Sequence, residues 1–227
     1  DKLSDYFIKT EEAIADMSDA PIKVNRFSSK DDDKEEKDAV ITPLLGKNIK
    51  KYILEDIKNT EKGEIIYIAM LFISDRHILK ALKTAIRREV KIIAILDNNE
   101  ISFDQKRSRL PNAYLMPELQ RLGVEIRWYK SEDDEFHSKM LYFQKKDHAI
   151  LHIGSANLTR RSLIGTNLEN NVRIKAQSDT KLIKDVENYF KRLCSNKLSV
   201  KSKGLPKNYY LMKFWCKIAE RVGLSTW

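Results

Sequence analysis

The sequence contains few cysteines and no long apolar run, so it offers little for disulfide cross-links or membrane-spanning helices. Its 227 residues include two cysteines, Cys194 and Cys216, which show neither CxxC spacing nor a histidine-rich partner cluster. We expect both to be packing thiols in a reducing compartment. Apolar runs of about 18 residues are missing, and the N-terminus lacks the basic-then-apolar layout of a signal peptide. These absences predict a cytoplasmic protein without a membrane-spanning helix, whose contact with a membrane would be peripheral.

Positive charge is in excess and is unevenly placed. The net charge is +9, and residues 179–227 contribute +7 of it, from eleven Lys/Arg against four Asp/Glu. A basic segment of this kind favours anionic partners, either phospholipid surfaces or nucleic acid. A solvated basic face without any partner is the alternative.

Composition divides the chain into three parts. Residues 1–38 are interpreted as a connector ending in a charged linker, because residues 28–38 contain no apolar side chain. Residues 39–177 have the pattern of a folded domain, and residues 178–227 are interpreted as a basic helical extension. Since the sequence starts at Asp1 and its first part resembles a connector, we expect it to belong to a longer parent protein.

Apolar periodicity predicts an α/β domain with a mixed β-sheet flanked by helices. Helical spacing covers residues 46–59, the segment that follows Asp75, and residues 179–193. The order strand, helix, strand with short links predicts parallel pairing at the start of the domain. A short helix is expected to end near residue 122 and a last one to cover about 210–222, and the expected strands are 65–72, 90–96, 124–129, 139–143, 149–153 and 172–175.

The densest set of reactive side chains lies between residues 137 and 171. In a strand, His137 and Lys139 point to the same face, so an imidazole and an ammonium would share one site. The pair suits phosphate chemistry, because the imidazole can attack or donate a proton while the lysine neutralises non-bridging oxygens. A histidine and a lysine two residues apart also occur often by chance, so the pair alone is weak evidence.

Two polar segments downstream can complete such a site. Gly154, Ser155 and Asn157 follow a predicted strand, where the glycine permits a sharp turn and the hydroxyl and amide can donate to a phosphate. Glu169 stands among asparagines before another predicted strand, where its carboxylate can accept the second imidazole N–H. Taken singly, the first segment is an ordinary turn and the second an ordinary capping or loop-solvating cluster.

The joint spacing resembles the signature of the phospholipase D superfamily. That signature is His-x-Lys, four residues, Asp, six residues and Gly-Ser-x-Asn, and its counterparts here are His137, Lys139, Asp147, Gly154, Ser155 and Asn157. One interval departs from it, because seven residues rather than four separate Lys139 from Asp147, which suggests a longer hairpin at 144–146. The segment 167–169 resembles the acidic signature that follows in the family, and the resemblance covers residues 39–177.

The resemblance implies a mechanism that uses no metal and no cofactor. Two half-sites face each other: one histidine attacks phosphorus to form a phosphohistidine, and the other protonates the leaving alkoxide before activating the incoming water or alcohol. His137 would take one of these roles, and Glu169 would orient it. Lys139, Asn157 and Ser155 would bind the non-bridging oxygens. Asp147 and Gly154 would be structural.

The resemblance also implies a partner that supplies the second half-site. A second copy of the chain is one possibility, and the N-terminal half of the same protein is the other. We expect the latter, in which this chain is the C-terminal half of a pseudo-twofold enzyme and His137 is the general acid and base.

Phospholipid is the expected substrate, handled by a phosphatidyl transferase of the cardiolipin synthase kind or by a phospholipase. A basic final helix suits a membrane interface, although a helix with one apolar side more often packs on its own domain. Its aromatic side chains are Tyr209, Tyr210, Phe214, Trp215 and, beyond it, Trp227.

The alternative substrate is DNA or RNA, cleaved by a nuclease of the same superfamily. Against this reading, no basic stripe is evident near His137, and the acidic residues 132–135 would repel a polyanion. A non-catalytic interaction domain is a third interpretation, which the intact His, Lys and Asn set disfavours.

The remaining histidines have structural explanations. His77 would lie in the first turn of a helix at the surface, and His148 and His152 would flank and occupy a core strand. None is assigned to catalysis. No metal site is expected, because no pair of them has ligand spacing together with a carboxylate or thiolate partner.

Overall fold

A computed structural model describes residues 9, 39–97, 112–130, 135–203, 210 and 214, apart from the side chains of residues 113–116. The chain divides into two compact units, Asp1–Lys37 and Asp38–Trp227. Since the described part of the first unit is Lys9 alone, the connector at residues 1–38 stays a prediction.

The second unit is built on one eight-stranded mixed sheet, whose strand order is β1-β7-β6-β5-β2-β3-β4-β8. The neighbours β2, β3 and β4 run parallel, and every other pair is antiparallel. The strands are β1 (Ala39–Leu45), β2 (Ile65–Met70), β3 (Lys91–Leu96), β4 (Glu125–Tyr129), β5 (Lys139–Gln144), β6 (His148–Gly154), β7 (Asn170–Gln177) and β8 (Ser199–Lys201).

Helices cover both faces of this sheet. One face packs against α1 (Lys47–Lys58), α2 (Arg76–Arg87), α3 (Asn112–Arg121) and the short α4 (Arg160–Leu163). The other face packs against α5 (Lys181–Leu193). Strand alternation divides the core accordingly, since Ile92 contributes to the first cluster and Ile93 to the second. Burial on both faces explains why the central strands are apolar almost throughout.

The helix starts follow local chemistry. Asp75 caps α2, where its carboxylate accepts hydrogen bonds from the backbone N–H groups of His77 and Ile78. Thr180 caps α5 in the same way through Ile183 N. Helix α1 has no side-chain cap; Gly46 precedes it at a positive φ of 50°, which glycine adopts without strain, and Gly46 N donates instead to Glu169 O at 3.3 Å. That bond joins the start of α1 to the segment before β7.

A buried ionic cluster fixes α1 against the middle of the sheet. Asp56 of α1 accepts from His152 Nε2 at 2.6 Å and from Arg173 Nε and Nη2, each at 2.8 Å. His152 on β6 and Arg173 on β7 are directly opposite each other in the sheet. His152 is fully buried and Asp56 is 3% exposed. Two residues further along, the same strand pair carries Gly154 and Asn171.

The expected mixed α/β fold is confirmed, and all six predicted strands lie within two residues of their predicted ends. Two edge strands were missed. Strand β1 contains Pro43, a residue that depresses strand propensity but is tolerated at an edge, and β8 has three residues. Residues 181–201, placed by composition in the C-terminal extension, contribute α5 and β8 to this same sheet.

Most of the expected final helix lies outside the described residues. Tyr210 and Phe214 are helical and exposed, and Tyr209, Trp215, Cys216 and Trp227 fall where nothing is described. Within the described part of the chain, no helix is long and apolar enough to cross a membrane. Cys194, at the end of α5, is a half-buried free thiol.

Candidate functional site

The predicted site residues come from three loops that meet at one edge of the sheet. His137 precedes the start of β5, Ser155 and Asn157 follow the end of β6, and Glu169 precedes the start of β7. Because β5, β6 and β7 are successive antiparallel neighbours, these three positions lie at the same edge. The carboxyl ends of β2 and β3 reach that edge too, since Lys139 is opposite Met70.

The His137–Lys139 pair combines an exposed imidazole with a buried ammonium. His137 is exposed, whereas Lys139 is 9% exposed. Lys139 Nζ donates to His137 O at 3.1 Å, so the ammonium is held beneath the backbone of the histidine. Burial lowers the pKa of Lys139, and the nearby Glu135 and Glu169 oppose that shift. A partly desolvated cation beside an accessible imidazole is suited to binding an anionic oxygen.

Asn157 is positioned by the end of β2. Its Oδ1 accepts from Phe72 N at 3.3 Å, which fixes the plane of the amide. The Nδ2 group is then the part of the side chain that can donate to a phosphate oxygen. An adjacent bridge between Ile73 and Leu158 ties this turn to the segment after β2. The half-buried Asn157 therefore lies on a backbone fixed from two sides.

Ser155 and Glu169 form a hydrogen-bonded unit. Ser155 Oγ donates to Glu169 Oε2 at 2.5 Å and accepts from Asn170 N at 3.0 Å. Asn167 Nδ2 donates to the other carboxylate oxygen at 3.4 Å. Among the described residues, the Glu169 carboxylate accepts from Ser155 and Asn167 and makes no hydrogen bond to His137. The orientation of His137 by Glu169 and a phosphate contact of Ser155 therefore stay predictions.

Gly154 is required by a close approach of β6 to β7. A Cβ atom at this position would lie 2.2 Å from Asn170 O, 2.5 Å from Asn171 Oδ1 and 2.6 Å from Asn171 Cα. The buried Asn171 in turn accepts from Ala156 N at 3.1 Å. The glycine thus brings the turn that carries Ser155 and Asn157 against the start of β7.

We expect Gly154→Ala to lower the free energy of unfolding by about 1–3 kcal/mol, because the added methyl group overlaps backbone atoms that pairing holds in place. Gly63→Ala is the matched control: Gly63 has φ 85° and nothing within 4 Å of a Cβ, so its cost of about 1 kcal/mol is conformational only. Urea denaturation of both variants measures the difference. Equal losses would contradict the close-contact explanation.

Asp147 lies apart from the other signature residues. It is exposed in the turn between β5 and β6, whereas Lys139 and Gly154 occupy the opposite ends of the same two strands. At about 3.4 Å per residue, the length of β6 separates the two locations by roughly 20 Å. This position agrees with a structural role rather than a place in the site.

Two residues that no sequence motif marked, Asp97 and Asn112, fix the loops at this edge. Asp97, directly after β3, accepts from Phe136 N at 2.6 Å and so anchors the segment that leads to His137. Asn112 donates to Leu71 O at 2.6 Å and to Asp97 O at 3.3 Å. The signal for Asp97 was its place at the carboxyl end of a parallel strand, where functional side chains collect.

The other histidines lie where the sequence predicted. His77 is exposed in the first turn of α2, His148 starts β6 at the far edge of the sheet, and His152 is buried in β6. Burial and the neighbouring Lys175 and Lys145 lower the pKa of His148. In the part of the chain that is described, no group of three or more His, Cys, Asp or Glu side chains is placed to hold a metal ion.

Comparison with known families decides the superfamily. The model of the family described as cardiolipin synthase, PLD-like domain, matches residues 53–194. This match covers more than half of the chain. The chain belongs to the phospholipase D superfamily. The matched span of this phospholipase D domain runs from the middle of α1 to the end of α5 and includes the whole candidate site.

Solved structures share the fold. Nuc from Salmonella typhimurium, described as a phospholipase D family member, is 17% identical with a TM-score of 0.56 over 73% of this chain and 100% of that one. NucT from Helicobacter pylori is 16% identical, with a TM-score of 0.56 over 72% of this chain and 99% of that one. Phosphatidylserine synthase from Haemophilus influenzae Rd KW20 is 14% identical, with a TM-score of 0.60 over 82% of this chain and 46% of that one. No curated protein matches the sequence significantly.

Proposed function

We propose that this phospholipase D domain cleaves phosphodiesters through a phosphohistidine, and that it supplies one of two half-sites. The observation that carries the proposal is the exposed imidazole of His137, whose backbone oxygen accepts from the buried Lys139 ammonium, together with the oriented Asn157 amide at the same sheet edge. An accessible nucleophile or proton donor next to two fixed oxyanion donors is the arrangement that phosphoryl transfer needs.

The proposed steps use two imidazoles in sequence. One attacks phosphorus, so that a P–N bond forms and the P–O bond to the leaving alkoxide breaks, while the second imidazolium gives its proton to that alkoxide. The second imidazole then takes a proton from water or an alcohol, whose oxygen attacks phosphorus and breaks the P–N bond. His137 takes one of these roles. Lys139 and Asn157 stabilise the charge on the non-bridging oxygens throughout.

Glu169 and Ser155 are assigned supporting roles. The carboxylate is almost buried and is bonded to Ser155 and Asn167, so it is available to hold the imidazole once substrate draws His137 inward. Its negative charge also favours the charged form of Lys139. In this proposal Ser155 fixes Glu169 and reaches the phosphate only if its hydroxyl turns away from the carboxylate.

A second half-site must pack near His137, and exposed apolar side chains support this. Leu168, directly before Glu169, is 74% exposed, and Ile153, directly before Gly154, is 41% exposed. Apolar side chains next to a polar site favour coverage by another protein surface. The second half is either a second copy or another part of a longer protein, and light scattering of the full-length protein distinguishes a dimer from a monomer.

Two substrate classes fit this chemistry. Phospholipid diesters are favoured by the description of the matching family as cardiolipin synthase, which makes phosphatidyl transfer the leading form of the reaction. DNA or RNA diesters are the alternative, for which the net charge of +9 is equally suited. Both classes use the same attack at phosphorus, so the site geometry itself is common to them.

The full-length protein, assayed with EDTA present, is expected to convert at least one of two substrates: phosphatidylglycerol vesicles or plasmid DNA. Bis(p-nitrophenyl) phosphate serves as a small diester common to both mechanisms. Quenching during turnover of a phosphorus-labelled substrate should leave acid-labile label on the protein, as a phosphoramidate does. Turnover of none of the three, by a protein with the melting profile of a folded domain, would refute the proposed activity and support a non-catalytic role.

A further inference from the structure

Three basic side chains outside the signature gather beside the candidate site. Arg160 and Arg161 open α4, three and four residues after Asn157, and both are exposed. Lys47, the first residue of α1, is exposed as well. The grouping is not apparent from the sequence, because Lys47 lies 90 residues before His137.

Arg161 is connected to the site by hydrogen bonds, and Lys47 lies next to the site through its neighbour Gly46. Arg161 Nε donates to Asn167 Oδ1 at 2.8 Å, and Asn167 Nδ2 donates to Glu169 Oε1 at 3.4 Å. Gly46 N donates to Glu169 O at 3.3 Å, which places the start of α1 at the same carboxylate residue. Lys47 Cγ lies 3.8 Å from the position that a Cβ would take on Gly165, in the turn after α4.

The charges of this group are not cancelled by the carboxylates that surround it. Asp75 is paired with Lys50 at 2.6 Å, and Asp75 also caps α2. Glu169 is almost buried and is bonded to Ser155 and Asn167. The hydrogen-bond partner of Arg161 is a neutral amide. Neither Asp75 nor Glu169 therefore neutralises these three cations, although Glu135 adds a negative charge on the Lys139 side of the site.

We propose that Lys47, Arg160 and Arg161 form a phosphate-binding rim for nucleic acid, which holds the phosphates that flank the scissile one. The inference rests on the proposed diester cleavage, and for its substrate it places nucleic acid ahead of the phospholipid that the description of the matching family favours. A nucleic acid strand carries a phosphate about every 3.4 Å of helix axis, so its neighbouring phosphates need cations outside the catalytic set. Arginine is suited to this task, because its planar fork binds phosphate oxygens in pairs.

A phospholipid places different demands on the same surface. Its diester is single and is satisfied by His137, Lys139 and Asn157, while its remaining bulk is apolar. The rim offers guanidinium and ammonium groups where acyl chains would need apolar cover. The rim therefore favours a polyanionic strand.

The test measures binding of the full-length protein to a fluorescein-labelled DNA duplex of arbitrary sequence across a salt series. Each phosphate contact contributes about 0.9 to the slope of log K against log salt, so Arg160→Gln/Arg161→Gln should lower that slope by about 1.8, and Lys47→Gln by about 0.9. Arg160→Lys/Arg161→Lys keeps the charge and should keep most of the slope. All measurements use a His137→Asn background with EDTA, so that cleavage cannot intervene.

Lys181→Gln/Lys184→Gln is the matched control. Both lysines are exposed at the start of α5, which follows the end of β7 at the opposite edge of the sheet, and the pair removes the same charge. It should leave the slope within about 0.3 of the parent, because distant exposed charges are screened. Circular dichroism and thermal melting check that each variant is folded.

Three results would overturn the rim. The parent protein fails to bind duplex even at low salt, the arginine variant keeps the parental slope, or the control loses as much as the arginine variant. If the arginine variant loses binding to phosphatidylglycerol vesicles while its duplex binding is unchanged, the rim binds lipid and the nucleic acid assignment is overturned. Failure of the proposed catalysis is measured separately, as turnover by the protein with His137 intact, since the binding series needs no turnover.

Discussion

His137→Asn should reduce hydrolysis of a diester with an alkyl leaving group by about 10³-fold or more, measured as kcat/KM on the full-length protein. Asparagine approximates the size of the imidazole but can neither attack phosphorus nor transfer a proton at neutral pH. Loss of a general acid and base costs about 10²–10⁴-fold, and loss of a nucleophile up to about 10⁶-fold. His137 is exposed and no other described residue bonds to its ring, so the fold should tolerate the change.

The leaving group separates the two roles of His137. A p-nitrophenolate departs without a protonated imidazole, whereas an alkoxide needs one. If His137 is the general acid and base, the variant should still release about one equivalent of nitrophenol per site in a burst and then stall, because the phosphohistidine on the other half-site forms but is not hydrolysed. If His137 is the nucleophile, or if two copies of this chain pair, the burst disappears as well.

His77→Asn is the matched control for this measurement. His77 is 73% exposed at the start of α2, and the substitution changes the same chemical groups outside the proposed site. We expect its kcat/KM to stay within about twofold of the parent, as is usual for surface changes without a role. A His137→Asn variant that retains activity within tenfold of the parent would refute the assignment of the imidazole to catalysis.

The sequence predicted the parts of this site that depend on local pattern. Both faces of the central strands are apolar, so the sheet and its helices follow from periodicity, whereas a face shared by His137 and Lys139 stays a prediction because His137 lies before the start of β5. The spacing to Asn157 was informative because one hairpin, β5 and β6, separates the two motifs. A hairpin returns the chain to the edge where it began, which makes the interval a geometric constraint.

Pairing between distant segments could not be predicted in this way. Asp56 is 96 residues from His152 and 117 from Arg173, and nothing local marks it as the acceptor for both. Periodicity predicts that Asp56 lies in an amphipathic helix, but it does not predict the partners of its carboxylate. The rim of Lys47, Arg160 and Arg161 was unpredictable for the same reason, because the sheet topology brings its segments together although they are far apart in the sequence. Edge strands β1 and β8 are likewise defined by their partners.

Asp56→Ala should lower the free energy of unfolding by roughly 3 kcal/mol at neutral pH, measured by urea denaturation. Removing one member of a buried ionic cluster leaves its partners without compensation, which costs about 3–5 kcal/mol. The lower end applies because Arg173 keeps 15% of its side chain exposed and can regain water. His152 cannot, since it is fully buried and its Nδ1 already has no hydrogen-bond partner among the described residues.

The stability of both parent and variant should fall as the pH drops below neutrality. Burial lowers the pKa of His152 in the folded protein, and Asp56 opposes that shift. A histidine with a lowered folded pKa costs stability once the pH drops below its unfolded value, about 6.5, because only the unfolded chain binds the proton easily. Without Asp56 the folded pKa falls further, so parent and variant should lose stability with the same slope below about pH 6.5, and the gap between them should widen only at the lower pH where the buried imidazole of the parent takes up its proton.

Two further variants separate the ionic cluster from general effects of substitution. Glu55→Ala removes an exposed carboxylate from the adjacent position of α1 and should change stability by less than about 0.5 kcal/mol, with an unchanged pH dependence. His152→Gln keeps a donor for Asp56 but does not titrate, so its stability should decline less steeply than that of the parent between pH 7 and 5. If Asp56→Ala and Glu55→Ala lose equally little, Asp56 does not hold α1 on the strands that carry the site. A large loss in Asp56→Ala, together with a flattened pH dependence in His152→Gln, would instead show that α1 is held on these strands by a cluster whose strength depends on one buried imidazole staying neutral.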